Sequence, residues 1–111
     1  MSLSEKTCLP CKGDVPALTP EQIEPLLAQL DQWQCEAHQK IVKSFRFDNF
    51  KQAMDLATKV AAVAQKENHH PDLIVRWGEL RVEIWTHVSH GLTENDFILA
   101  SKIDKCATAA R

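Results

Sequence analysis

The chain has 111 residues, 44% of them hydrophobic and 25% charged, with three glycines and a formal net charge of −2. That length and mixture describe one globular domain able to bury a core without an obligatory disulfide or metal staple, and they exclude a disordered or fibrous chain. Lysines and arginines are scattered rather than gathered into a stripe, which disfavours direct nucleic-acid binding, and no apolar run approaches a membrane span.

Met1-Ser2-Leu3-Ser4-Glu5-Lys6 lacks the basic and apolar regions of a secretory signal, so the expected location is the cytoplasm, with reduced thiols. Residues 1–18 carry Pro10, Gly13 and Pro16 and little periodicity; they read as a flexible N-terminal arm, and residues 19–111 as the single domain. Within the arm, Cys8-Leu9-Pro10-Cys11 has the spacing of a metal knuckle or a redox pair. Cys35 and Cys106 stand too far apart to supply a second pair, and Gly13 and Pro16 follow where a thioredoxin-like site needs a helix. The motif is therefore read as part of an exposed arm without catalytic role.

Thr19-Pro20-Glu21-Gln22 offers a cap hydroxyl, a proline at the first helical position and a glutamine three residues past the cap, which starts a helix with Ile23, Leu26, Leu27 and Leu30 on its apolar face. Trp33 to Cys35 and Lys40 to Phe47 alternate as two short strands, with Ile41, Lys43, Phe45 and Phe47 on one face and Val42, Ser44 and Arg46 on the other. Asp48 is expected to cap a long helix to about Lys66, burying Phe50, Met54, Ala57, Ala61 and Ala64. Leu73 to Trp77 and Leu80 to Val88 form a hairpin around Gly78-Glu79. Thr93 caps a last helix, Glu94 to about Ala109, with Phe97, Ala100, Ile103 and Ala107 in one stripe. The order helix-strand-strand-helix-strand-strand-helix predicts an α+β fold: a four-stranded antiparallel sheet with the helices packed on one face.

Three of the five histidines gather around the second hairpin. With Gly78-Glu79 as the loop, Trp77 pairs with Leu80, Val75 with Val82 and Leu73 with Ile84, and the same register carries His70 opposite His87. Leu80, Val82, Ile84 and Thr86 then face the helices, and Arg81, Glu83, Trp85 and His87 face away. Imidazole titrates nearest neutrality, so such a cluster is suited to moving protons or holding a metal. Zinc is the rival reading, because three imidazoles can leave a catalytic site with an open fourth position. Adjacent histidines in an extended segment point in different directions, which favours proton chemistry. His38 and His90 are read as solvated or structural, Trp33 and Trp77 as core or rim aromatics, and Glu67 and Asp72 as solvated charges, although a carboxylate could orient an imidazole. Asp96, three residues after Thr93, is explained by bonding back to the helix cap.

Asn68-His69-His70-Pro71, Trp77, His87, and Gly91-Leu92-Thr93 leading to Asp96 resemble the signature of pterin-4a-carbinolamine dehydratases. The resemblance runs from Trp33 through Phe45-Arg46-Phe47-Asp48-Asn49-Phe50 to Leu99-Ala100-Ser101, and the Cys8/Cys11 arm is similar to bacterial members. It implies dehydration of a 4a-hydroxytetrahydropterin to the quinonoid dihydropterin, the recycling step after aromatic amino acid hydroxylases, with no metal or organic cofactor. It also implies catalytic roles for His69, His70 and His87, pterin contacts at Asn68, Pro71, Trp85, Thr86, Val88 and Asp96, and a homodimer or homotetramer. Within that scheme His69 and His87 transfer protons and His70 holds the ring. Gln65 departs from the carboxylate that many members carry four residues before the first histidine, and Asn68 and Trp85 depart as well. The competing class is an interaction or assembly protein on the same fold, since relatives of this kind act as transcriptional dimerisation cofactors.

Overall fold

The computed structural model describes residues 2–9 and 16–110. Helix α1 spans Pro20–Leu27, strands β1 and β2 Gln34–Glu36 and Lys40–Arg46, helix α2 Phe50–Glu67, strands β3 and β4 Asp72–Arg76 and Glu79–Ile84, and helix α3 Glu94–Ala110. The strands form one antiparallel sheet in the order β1-β2-β4-β3. With the helices on one face this is the expected α+β architecture. No helix among the described residues is long and apolar enough to cross a membrane.

Local chemistry sets most boundaries as the sequence predicts. Thr19 Oγ1 accepts the Gln22 N–H at 3.3 Å and Gln22 Oε1 accepts the Thr19 N–H at 2.9 Å, a reciprocal capping box that opens α1. Leu80, Val82, Ile84 and Thr86 all turn inward and are buried. Leu80, Val82 and Ile84 meet Leu56, Val60 and Ala64 of α2 and Phe97, Leu99 and Ile103 of α3 in one core cluster. Trp33 is buried, its Nε1–H donating to Asp104 Oδ2 at 2.9 Å while Lys43 Nζ reaches the other oxygen at 2.7 Å, so strand β2 is tied to α3 by a shared carboxylate.

Four expectations are corrected. Asn49, not Asp48, caps α2: Asn49 Oδ1 accepts the Gln52 N–H at 2.8 Å, while the Asp48 N–H is taken by the Gln52 side chain. The buried stripe of α2 is Ala53, Leu56, Ala57, Val60 and Ala64, which leaves Phe50, Met54 and Ala61 exposed. Three alanines on that stripe let α2 approach closely, where a phenylalanine would hold it off. The hairpin turns on Trp77-Gly78 rather than Gly78-Glu79, because Gly78, at φ 72, sits second in the loop and Glu79 already pairs with Arg76. Leu73 therefore pairs with Val82 and Val75 with Leu80, and Trp77 stands 74% exposed at the tip, neither core nor rim.

The N-terminal segment is also placed differently. Leu3 and Cys8 are buried and join the core cluster, so Cys8 is not part of an exposed arm; Cys11 lies outside the described residues. Further on, the Leu18 N–H donates to Leu92 O at 2.7 Å. A Cβ on Gly91 would lie 2.8 Å from Ala17 Cβ, so this strand-like contact requires glycine at that position.

Candidate functional site

The end of α2 determines where the first histidine goes. Asn68 takes the left-handed conformation, φ 52 and ψ 40, and the His69 N–H closes back onto Ala64 O at 3.2 Å. Asparagine tolerates that conformation better than most residues, so the helix stops there and reverses. The reversal drives His69 inward until it is 9% exposed, while His70 stays on the surface.

His69 meets a carboxylate prepared for it. Asp96, in the first turn of α3 and 0% exposed, accepts at Oδ1 from His69 Nε2 at 2.7 Å. Its Oδ2 accepts both the Thr93 N–H and the Thr86 hydroxyl at 2.8 Å, and the Thr86 and Thr93 hydroxyls bond each other at 2.8 Å. With Thr86 donating to the carboxylate, Thr93 donates to Thr86. A buried carboxylate satisfied by three donors is an acceptor only. It therefore holds a proton of His69 on Nε2, and whenever the ring carries only one proton the lone pair is on Nδ1. The expected bond from Asp96 back to the cap exists, but it is one contact of three.

His70 Nε2 lies 3.0 Å from Gln65 Oε1, one turn back on α2. Gln65 thus orients an imidazole through its amide oxygen. His87 sits in a single turn of 3₁₀ helix, His87–Ser89, and stacks on Trp85 with ring centroids 4.4 Å apart and planes 19° apart. The loop carrying it is closed at its base by Thr86 and Gly91, which exchange backbone hydrogen bonds at 2.8 and 3.4 Å.

These residues converge on one open cleft of about 380 Å³, lined by Asn68, His69, His70, Trp85, Thr86, His87 and Val88. Pro71 and Asp96 do not line it. The convergence does not come from the ladder foreseen in the sequence. Strand β3 begins at Asp72 and β4 ends at Ile84, so His70 and His87 lie beyond the paired residues and are brought together by the helix end and the 3₁₀ turn. His69 and His70 turn to different partners, and among the described residues no three His, Cys, Asp or Glu side chains converge as a metal site. A larger hollow, about 700 Å³, adjoins the cleft at Trp85 and His87, with Glu36, Lys40 and His90 along it. Sequence reasoning missed three supporting groups: Thr86 and Thr93 as hydroxyl links to Asp96, and Glu67, whose side chain is 6% exposed rather than solvated. Only the Thr93-to-Asp96 spacing gave any signal of them.

Fold and cleft together define an α+β domain whose sheet end, helix turn and loop hold an imidazole cluster. The family model described as pterin 4 alpha carbinolamine dehydratase matches residues 16–106, and the chain belongs to that family. It is 52% identical over 103 residues to a protein of Rickettsia canadensis, covering 92% of this chain and 94% of that one. It is 46% identical over 110 residues to one of Methylococcus capsulatus, covering 98% and 96%. Both relatives carry the name "Putative pterin-4-alpha-carbinolamine dehydratase". A crystal structure of a "transcriptional coactivator/pterin dehydratase" from Brucella melitensis superposes with TM-score 0.76 at 32% identity, covering 82% of this chain and 98% of that one. A pterin dehydratase-like protein described as a RuBisCO assembly factor shares the fold at TM-score 0.60 and 18% identity, over 69% and 90% of the two chains.

Proposed function

We propose that this protein dehydrates 4a-hydroxytetrahydropterins to quinonoid dihydropterins by imidazole acid/base catalysis, recycling the pterin cofactor of aromatic amino acid hydroxylases in the cytoplasm. The observation that carries the reading is the buried His69–Asp96 pair opening onto a cleft shared with His70 and His87. The reaction expels hydroxide from C4a and removes a proton from a ring nitrogen, so it needs a donor at the leaving oxygen and an acceptor at the nitrogen. A neutral His69, with its proton fixed on Nε2, offers Nδ1 as acceptor, and Asp96 steadies the imidazolium that results. His87, held flat against Trp85, is the donor to the leaving hydroxyl, and His70, oriented by Gln65, holds the pterin ring. A homodimer or homotetramer belongs to the same proposal.

The direct test follows the ultraviolet absorbance of freshly generated carbinolamine under stopped flow. His69→Ala and His87→Ala are each expected to lower the enzymatic rate about 10²–10⁴-fold, with circular dichroism unchanged. Rates equal to wild type in both variants would end the proposal. The second reading, an interaction or assembly protein, draws on the functions named for the two structural neighbours. It predicts a protein that neither binds nor turns over pterin yet copurifies with a stable partner. A pure scaffold has no use for a buried imidazole–carboxylate pair facing a cleft, which favours the enzyme.

A further inference from the structure

Residues 2–9 bind the two elements that hold the His69–Asp96 pair, and they bind them at its immediate neighbours. Glu67 is the last residue of α2, two positions before His69. Its Oε1 accepts the Cys8 backbone N–H at 2.9 Å, and Lys102 Nζ lies 3.7 Å from its Oε2. Asn95 is the residue next to Asp96. Its amide grips the Leu9 backbone in both directions, Oδ1 accepting the N–H at 3.0 Å and Nδ2 donating to the carbonyl at 2.6 Å. Cys8 Sγ lies 3.6 Å from Asn95 O as a weak donor, and Lys102 Nζ also donates to Ser4 O at 3.1 Å. Leu3 and Cys8 supply the apolar burial that seats the segment.

None of these eight residues lines the cleft. Their polar contacts nevertheless fall on the end of α2 and the start of α3, the two points whose separation sets the His69–Asp96 distance. The left-handed Asn68 between Glu67 and His69 is the joint that would swing if α2 frayed. Reacting groups must be held to within about an ångström, and misplacement on that scale can cost 10²-fold.

We propose that residues 2–9 are a positioning strap, with Glu67 and Asn95 as the positioning residues through which it fixes the His69–Asp96 pair. The proposal rests on the reading of His69 as an acid/base group. Cys8 reports on the strap. Its thiol is pushed up to about 12, by burial first and by the Glu67 charge second, so it is inert while docked and becomes reactive when the strap lifts.

The experiment uses full-length Glu67→Ala and Asn95→Ala, with Glu67→Gln as the variant that keeps the acceptor for Cys8 and Asn95→Asp as replacement should Asn95→Ala fail to fold. Three quantities are measured: Cys8 alkylation by iodoacetamide located by peptide mass spectrometry, the His69 ring ¹⁵N resonances, and kcat against KM for carbinolamine. In the alanine variants Cys8 labelling is expected to rise at least about 10-fold, the His69 Nε2 resonance to move toward free imidazole, and kcat to fall about 10-fold with KM nearly constant. Glu67→Gln should restore all three. Labelling that rises while the His69 resonance and kcat keep wild-type values overturns the proposal, since the strap would then be only structural. Cys8 remaining inert in both alanine variants overturns it as well, because Glu67 and Asn95 would not be holding the strap. Absence of wild-type turnover would instead refute the dehydratase reading, and the His69 resonance would still decide the strap.

Discussion

Asp96 makes more bonds than a helix start requires. One of its oxygens answers the cap, as the Thr93 spacing implies, but the other holds His69 from 27 positions upstream, a pairing that only the folded chain creates. Asp96→Asn tests that second function while nearly preserving shape. The amide oxygen can still serve Thr93 and Thr86, so the NH₂ faces His69 Nε2, and two donors cannot pair. The ring must then move its proton to Nδ1, removing the lone pair proposed as the proton acceptor. We expect turnover to fall about 10²–10⁴-fold with the fold retained, and ¹⁵N spectra to show the exchanged tautomer. An unchanged rate would mean that His69 does not work through Nδ1. Trp85→Ala is milder: the stack on His87 is worth about 0.5–1.5 kcal/mol, so kcat/KM should drop roughly 2- to 12-fold, read from the same assay.

At the level of elements, the outer face of the sheet carries its own charge network. Glu83 on β4 accepts from Arg81 Nε at 2.8 Å and from Lys40 Nζ at 2.9 Å, and Arg81 reaches on to Glu36 at 3.2 Å. Arg81 first, then Lys40, hold the Glu83 carboxyl below its ordinary value of 4.5. A folded value below the unfolded one gives stability that is complete above about pH 4.5 and is lost as pH falls through the lower folded value. Asp104 acts in the opposite sense, because burial raises its value above 3.8. The difference between wild type and Glu83→Gln isolates Glu83. In urea melts the variant should be the less stable at pH 7, and the gap should close on acidification below 4.5; a gap independent of pH would show that the pairs contribute nothing.

The elements also show how far the sequence could be read. The seven-element order and the inward row Leu80, Val82, Ile84 and Thr86 follow from periodicity alone. Register did not, yet its error was two residues, and a slip of two leaves every side chain on its own face. The α2 stripe failed because Phe50-Met54-Ala57-Ala61-Ala64 and Ala53-Leu56-Ala57-Val60-Ala64 are both sound helical rows sharing two alanines. Side-chain size favoured the wrong one, and only the close approach of α2 to its neighbours distinguishes them. Asp48 and Asn49 are likewise both competent caps, and periodicity cannot choose between neighbours.

Across the whole molecule the sheet separates its tight hairpin turn from the imidazole cleft. The imidazole cleft forms beyond the start of β3 and the end of β4; the hairpin tip lies at the other end of the same two strands. At that tip Gly78 has φ 72, accepts the Phe47 N–H at 2.8 Å, and would place a Cβ 2.9 Å from Phe47 O. Gly78→Ala therefore meets both backbone strain and a backbone contact that has no flexible side chain to yield, a cost of about 1–3 kcal/mol. Between tip and cleft every residue of β3 pairs with β4, and Leu80, Val82 and Ile84 of β4 are wholly buried, so the disturbance has no soft path to His69 or His87. We expect urea denaturation to show the loss of stability, while kcat per folded molecule at 20 °C and the His69 ring resonances stay at wild-type values. A fall in kcat matching the loss in stability would mean that the two ends of the sheet are mechanically coupled, and that the cleft depends on the tip as well as on the helix ends that build it.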